Sequence, residues 1–201
     1  IFDGKLGYGT SSERWQYRAG ALTRLSETQR LWVGASFHDA TQVRPTIGFR
    51  SSSSSIDALF FRVDPHDYYR GRGFALQAST KVLDFTRLDL QYNDETQWSL
   101  PVVEDYALFA KPGAARGNPP ILDGHLRSVS GTLSFDSHPF MRQGNVDFRV
   151  GSVTWDRAAL TAEVASPAFI PNDYDFGRFT LTLERRQRTF GIGLTTMSAT
   201  G

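Results

Sequence analysis

Histidine and aspartate are the residue types in this chain that are best suited to acid–base chemistry or metal binding. They lie at predicted strand ends or in loops, as His38-Asp39, His66-Asp67, His125 and His138. The histidines are far apart, and none has the His-x-His or other short spacing that is typical of metal ligands. The sequence therefore predicts no metal site and no cofactor.

Residue types needed for covalent catalysis are either absent or lack a local signature. The chain contains no cysteine, which excludes disulfides, thiolate zinc sites and cysteine nucleophiles. Serine is abundant, but no Gly-x-Ser-x-Gly sequence marks a nucleophile held on a strained turn. We therefore expect no catalytic residue and no enzymatic activity.

The tetrapeptide Arg70-Gly71-Arg72-Gly73 is similar to the RGG segments of nucleic-acid-binding proteins. It occurs once and leads directly into an alternating run, so we interpret it as a turn whose arginines lie at a rim. The 22 Lys and Arg residues are balanced by 21 Asp and Glu, which leaves a net charge of +1. Because nucleic-acid-binding domains normally carry a basic excess, we expect no nucleic-acid partner.

Alternation of apolar and polar residues at period two predicts that the chain is built from β-strands. Between positions 86 and 93, for example, Leu88, Leu90 and Tyr92 alternate with charged or amide side chains. Such runs predict about ten to twelve strands and no helix. They cover 2–8, 15–21, 31–38, 45–50, 56–63, 72–82, 86–93, 129–135, 146–150, 160–164, 179–183 and 190–194.

The connections between these runs are of two lengths. Short turns are predicted at 26–28, 83–85 and 185–187, and a phase shift near Gly151 indicates either a bulge or an extra hairpin turning at 155–157. Long, turn-rich connections are predicted at 51–55, 100–124 and 166–175. Short turns that alternate with long loops are typical of outer-membrane barrels, so we interpret residues 1–201 as a single barrel domain or a fragment of one.

Two all-β architectures compete for this pattern, a soluble sandwich or small barrel and an outer-membrane barrel. The clearest runs are eight to eleven residues long, whereas strands of soluble proteins average about 5–6 residues. Hydrophobic residues make up 40% of the chain, slightly below the ~45–50% of soluble domains, as expected if each strand has one apolar face. No window approaches the ~20 apolar residues of a membrane helix. The predicted fold is an antiparallel up-and-down β-barrel of outer-membrane type.

Alternation also predicts which side chains line such a barrel and which contact lipid. The predicted lumen-facing residues are Arg87, Asp89, Gln91, Asp147, Arg149, Glu163, Arg178 and Glu184. The predicted lipid-facing residues are Leu88, Leu90, Phe148, Val150, Leu160, Val164, Leu181 and Leu183. Aromatic residues near strand ends predict an interfacial girdle of Tyr8, Trp15, Trp32, Tyr92, Trp98, Trp155 and Phe190.

A series of motifs occupies the last part of the chain. A predicted strand ends in Phe135-Asp136, a turn closes at Gly144, and another strand follows. Asp175-Phe176-Gly177-Arg178 then opens a later strand, before a glycine-containing strand at 190–194. This order resembles the barrel of the bacterial surface antigen superfamily, the outer-membrane family that includes BamA, TamA and the two-partner secretion transporters.

The resemblance implies a protein of the bacterial outer membrane that inserts or transports other proteins, with the lipid bilayer and client or accessory proteins as partners. It also implies a partial barrel, because a characteristic loop of the family would lie beyond Gly201. Two other hypotheses remain open: a non-enzymatic β-rich subunit of a larger assembly, and a barrel that anchors an enzyme domain outside this stretch. Solubility without detergent would distinguish the first of these from a membrane barrel.

Overall fold

The computed structural model describes residues 1–9, 14–26, 30–43, 67–100, 118–143, 146–150, 154–189 and 193–200. These residues form β-strands and no helix, which confirms the all-β prediction. No helix in this part of the chain is long and apolar enough to cross a membrane. The eleven strands are β1 (Phe2–Gly9), β2 (Arg14–Ser26), β3 (Leu31–Val43), β4 (Tyr68–Leu83), β5 (Thr86–Ser99), β6 (Gly124–Asp136), β7 (Phe140–Gln143), β8 (Val146–Arg149), β9 (Trp155–Ala165), β10 (Phe176–Thr189) and β11 (Gly193–Thr200).

Nine strands form one up-and-down antiparallel sheet in the order β1-β2-β3-β4-β5-β6-β9-β10-β11. The short strands β7 and β8 form a separate hairpin that the chain inserts between β6 and β9. Within the described residues, β1 and β11 are not paired with each other, so the sheet is not closed into a barrel. The predicted antiparallel meander is thus confirmed, whereas barrel closure stays a prediction.

The strands of the large sheet are long, and β2 to β6 and β10 each contain 13 to 16 residues. Strands of soluble domains usually contain about 5–6 residues, whereas a tilted strand needs about 9–11 to cross a bilayer. The ladder of β4 and β5 runs without interruption from the Tyr69–Ser99 pair to the Lys81–Arg87 pair. A register shift follows between Lys81 and Leu83, next to the tight turn at 84–85, which confirms the predicted connection at that position.

Two predicted turns are wrong. Residues 185–187 lie inside β10, because Arg185 forms an ion pair with Asp156 (3.4 Å) and Arg186 lies opposite Trp155 in the ladder. Ladder pairing with β9 therefore continues through these residues, which looked like a corner in the sequence, and Arg185 also has a charged partner there. Residues 155–157 likewise open β9, and the extra hairpin lies earlier, at β7 and β8.

The interpretation of 70–73 as a turn is also wrong, since all four residues lie within β4. Gly71 and Gly73 share one face of the strand, and Arg70 and Arg72 share the other. The predicted strands at 45–50 and 56–63 lie outside the described residues, as do Phe190 and Gly144. Strand β7 was not predicted, because four residues are too few to show a period.

The sheet has one apolar face and one polar face, and it is the apolar face that is exposed. Among the described hydrophobic residues only Ala75, Trp155 and Ala165 are buried. Many large side chains on the apolar face of the central strands β3 to β10 are 39–69% exposed, and these include Phe37, Phe74, Leu76, Leu90, Val129, Leu133, Leu160, Val164, Phe179, Leu181 and Leu183. A soluble domain would bury such a surface, because continuous exposed apolar patches of this extent are rare.

The sheet is strongly curled, with its polar face on the inside. Leu22 on β2 and Thr182 on β10 line the same cavity, although the strands are separated by six inter-strand spacings along the sheet. At ~4.8 Å per spacing, that path is about 29 Å long. The two strands can face each other across one cavity only if the sheet bends around it.

Candidate functional site

The strands of the polar face run between two ends, which we call the upper end and the lower end and distinguish by the connections found there. The upper end contains Val43, Tyr68, Ser99, Gly124 and Ala165, where the long connections begin or end. The lower end is opposite, at the β4–β5 turn and at the join between β6 and β9. The interior differs between these two ends.

Six of the eight predicted lumen-facing residues lie on the polar face of the large sheet. They are Arg87, Asp89, Gln91, Glu163, Arg178 and Glu184, placed by the strand registers. The side chains of the other two, Asp147 and Arg149, lie outside the described part of the structure. Strand β8, which carries these two residues, belongs to the separate β7–β8 hairpin and not to the large sheet.

A cavity of about 880 Å³ occupies the lower half of the curled sheet. Four predicted residues contribute to its wall, namely Arg87, Asp89, Gln91 and Glu184. Its upper boundary is formed by Gln77, Gln91 and Ser130, which lie opposite one another on adjacent strands. The cavity is therefore bordered by polar side chains at its upper boundary, and it ends about halfway along the strands.

Above the cavity, the polar face carries a partly buried hydrogen-bonded cluster around the buried Glu95, which we call the Glu95 network (His38, Gln42, Tyr69, Glu95 and Gln97). One Glu95 oxygen lies 2.5 Å from His38 Nε2 and accepts from Gln42 Nε2 at 2.6 Å. The other accepts from Gln97 Nε2 at 2.7 Å, and the Tyr69 hydroxyl donates to Gln42 Oε1 at 3.1 Å. Glu95 is only 6% exposed, and a carboxylate can be buried to this extent because donors surround it.

Two glycines of β4 make room for the Glu95 network. A Cβ atom on Gly71 would lie 2.5 Å from Glu95 Oε2 and 2.6 Å from Gln42 Nε2. A Cβ atom on Gly73 would lie 2.0 Å from the Asp94 carbonyl oxygen. Because carbon atoms pack at about 3.5–4.0 Å, no other residue fits either position without movement of its neighbours.

Side chains from the opposite wall reach the same region. Glu163 on β9 is 7% exposed and forms an ion pair with Arg178, its direct cross-strand neighbour on β10. Tyr69 on β4 lies close enough to both of these residues to interact with them electrostatically. Since β4 and β10 are four spacings apart along the sheet, this proximity exists only across the interior.

Charged residues also form an outer collar above the apolar face, at the upper end. Arg70 donates to Asp39 at 2.6 Å, and Asp94 binds both His125 (2.5 Å) and Arg127 (2.9 Å). The strand registers place these five residues on the same face as Phe37 and Phe74, nearer the upper end. At the level of Phe37 and Phe74, the exposed apolar band is therefore bordered on its upper side by a line of paired charges.

The connection between β9 and β10 is held against the upper part of β6. Asp173 Oδ2 accepts from the His125 backbone N–H at 2.7 Å, and the Tyr174 hydroxyl donates to the Leu122 carbonyl oxygen at 2.5 Å. Burial and the carboxylates of Asp123 and Asp173 raise the pKa of Tyr174. This connection covers the part of β6 that extends beyond its ladder with β9.

Asp136 organises the lower end of the sheet. It accepts hydrogen bonds from the His138 backbone N–H (3.0 Å) and from Arg157 Nε (3.2 Å), and its carboxylate also contacts the His138 ring. The Trp155 ring lies against His138 (4.6 Å between centroids), and the Arg157 guanidinium lies 4.7 Å from its centre. This motif residue thus fixes the point at which the chain leaves β6.

Replacing Asp136 by alanine should lower the free energy of unfolding by about 1–3 kcal/mol, because it leaves partly buried donors without their acceptor. Asp175→Ala is the matched control, since Asp175 is exposed at the entry to β10. Denaturant unfolding of the two variants checks this. Equal loss in both would contradict the role assigned to Asp136.

The other motif residues are not assembled into one site. Phe135 lies on the apolar face near Phe85, with 6.4 Å between ring centroids. Phe176 and Arg178 begin β10 at the upper end, far along the strands from Asp136. The predicted motif therefore contributes to both ends of the sheet and forms no single pocket.

The predicted aromatic girdle is only partly on the apolar face. Tyr8 and Trp15 are exposed, lie in edge contact (5.5 Å between centroids), and share the face with Trp98. Trp32 and Trp155 are on the polar face, and Trp32 lines the cavity, so their assignment to a girdle is wrong. Aromatic residues favour strands in general, so their type does not indicate which face they occupy.

The Glu95 network could not be found from the local sequence. Its members come from β3, β4 and β5, and the strand register that brings them together is not a property of any one run. All three described histidines bind a carboxylate, and within the described residues no three potential ligands are grouped to hold a metal ion.

Comparisons of the chain with protein-family models, with curated proteins and with solved structures give no match.

Proposed function

We propose that this chain is a membrane-embedded β-barrel, or part of one, in the bacterial outer membrane, with its apolar face in lipid and its polar face around a lumen. One observation carries the proposal: long strands expose their apolar side chains outward while the polar side chains face a cavity. Soluble β-proteins have the opposite arrangement, with the apolar face inside.

The size of the apolar band supports a bilayer as the surroundings. On β4 the band extends from Phe74 to Val82, eight steps of ~3.3 Å, or about 26 Å along the strand. With the ~40° tilt of such barrels it would be about 20 Å tall, comparable with the ~25 Å band of outer-membrane proteins. The outer collar of paired charges lies where lipid headgroups would begin.

The finer proposal is that the barrel acts in the insertion or transport of other proteins. It is supported by the order of motifs from Phe135 to Arg178 that resembles the bacterial surface antigen superfamily. A folding assay tests it: an unfolded outer-membrane protein is diluted from urea into liposomes that carry this chain. We expect faster folding than in liposomes carrying an equal mass of a barrel with no assembly role. Equal rates would contradict the finer proposal and leave the membrane barrel intact.

Membrane insertion itself should be measured first. Chain refolded into liposomes should float with the lipid after extraction with alkaline carbonate, because removing an inserted barrel exposes its apolar band to water. Recovery of the chain as a soluble species without detergent would contradict the proposal. It would favour a β-rich subunit whose apolar face packs on another protein.

A further inference from the structure

We propose that the Glu95 network, together with the Glu163–Arg178 pair, is a constriction that closes the lumen near its upper end. This inference deepens the proposed function and rests on it. The lumen would then be a vestibule that is wide toward the lower end and narrow at the upper end, and these side chains would determine what passes through.

Burial along the polar face supports the constriction. Its most buried members lie in the upper half, where Glu95, Ser128 and Glu163 are 0–7% exposed. Below them, Arg87 and Gln91 are exposed and line the cavity. The polar side chains at the level of Glu95 are therefore buried, whereas Arg87 and Gln91 at the level of the cavity are exposed.

The closure depends on side chains from both walls. Glu95 holds His38, Gln42 and Gln97 in place by hydrogen bonds on one wall, and Glu163 with Arg178 lies on the other. The Tyr69 hydroxyl donates to Gln42 on the first wall and interacts electrostatically with Glu163 and Arg178 on the second. Glycine at 71 and 73 leaves the space that Glu95 occupies, so the backbone of β4 is shaped for this packing.

Ion conductance through planar bilayers tests the constriction. The wild-type chain should insert and conduct weakly, whereas Glu95→Ala should raise the mean conductance by about tenfold or more, since polar side chains at a narrow point control passage. Tyr69→Ala, which removes the side chain that interacts with both walls but leaves the Glu95 acceptor in place, should raise it as well. Gln91→Ala, in the wide part, is the matched control and should conduct like the wild type.

Each outcome has a defined meaning when flotation with liposomes is measured on the same samples. Strong conductance in the inserted wild type, or no increase in inserted Glu95→Ala and Tyr69→Ala, would overturn the constriction and leave the barrel intact. Failure of the wild type to float would overturn the barrel and the constriction together. If Glu95→Ala alone fails to insert, Tyr69→Ala decides the result.

Discussion

Leu90→Arg should reduce the free energy of unfolding in a bilayer by about 2–4 kcal/mol, the cost of arginine near the midplane of a barrel's lipid-facing surface. Leu90 is the middle apolar residue of β5, between Leu88 and Tyr92, and it is 48% exposed on the apolar face. The cost is set by removing a guanidinium from water without a partner. Denaturant titration of the refolded chain in liposomes measures it.

The neighbouring residue provides the control. Gln91 is exposed on the opposite, polar face and lines the cavity, so Gln91→Arg should change stability by less than about 1 kcal/mol, as for other surface substitutions. Leu181→Arg, in the middle of the β10 band, should repeat the effect of Leu90→Arg. Equal tolerance at Leu90 and Gln91 would contradict the assignment of the two faces.

Gly73→Ala should be the most damaging small substitution in the sheet, lowering the free energy of unfolding by about 2–3 kcal/mol, as overpacking does in dense regions. The added methyl would lie 2.0 Å from the Asp94 carbonyl oxygen and 2.6 Å from Glu95 Cα. Both atoms belong to the backbone, so the β4–β5 ladder itself must move. Denaturant unfolding measures the loss, and heat-induced change in gel mobility reports whether the variant still folds.

Gly177→Ala is the matched control for this prediction. Gly177 also lies in a strand of the large sheet, but a Cβ atom there would have no other atom within 4 Å. We expect no loss, and a gain of up to about 1 kcal/mol from the lower entropy of the unfolded chain. A similar loss of stability in both variants would show that the close approach of the β5 backbone to Gly73 does not restrict which residue can occupy that position.

The strands and their two faces were predictable because apolar and polar residues alternate with a period of two within each run separately. Leu88, Leu90 and Tyr92 alternate with polar neighbours whatever the rest of the chain does. The errors arose where residue type was taken as a sign of position. Arg185 and Arg186 looked like a corner, but they continue β10 because their backbones pair with β9, which also supplies Asp156 as the ion-pair partner of Arg185.

Trp32 shows the same limit for the aromatic residues. Its type suggested a membrane interface, yet its place in the β3 register puts it on the polar face beside the cavity. Gly71 and Gly73 suggested a turn, whereas their lack of side chains serves the close packing around Glu95. In both cases the structural role of the residue depends on a neighbouring strand.

The sequence by itself determined that this chain forms long antiparallel strands with one apolar and one polar face, since those properties depend on local alternation. The outward position of the apolar face was predicted with the barrel, and it is the curl of the sheet in the tertiary structure that produces it. The tertiary structure alone decided that His38, Glu95 and Gln97 meet above a cavity. The physical reason is that curvature and register arise from pairing between strands. Residues 57 positions apart, such as His38 and Glu95, come into contact only after that pairing exists.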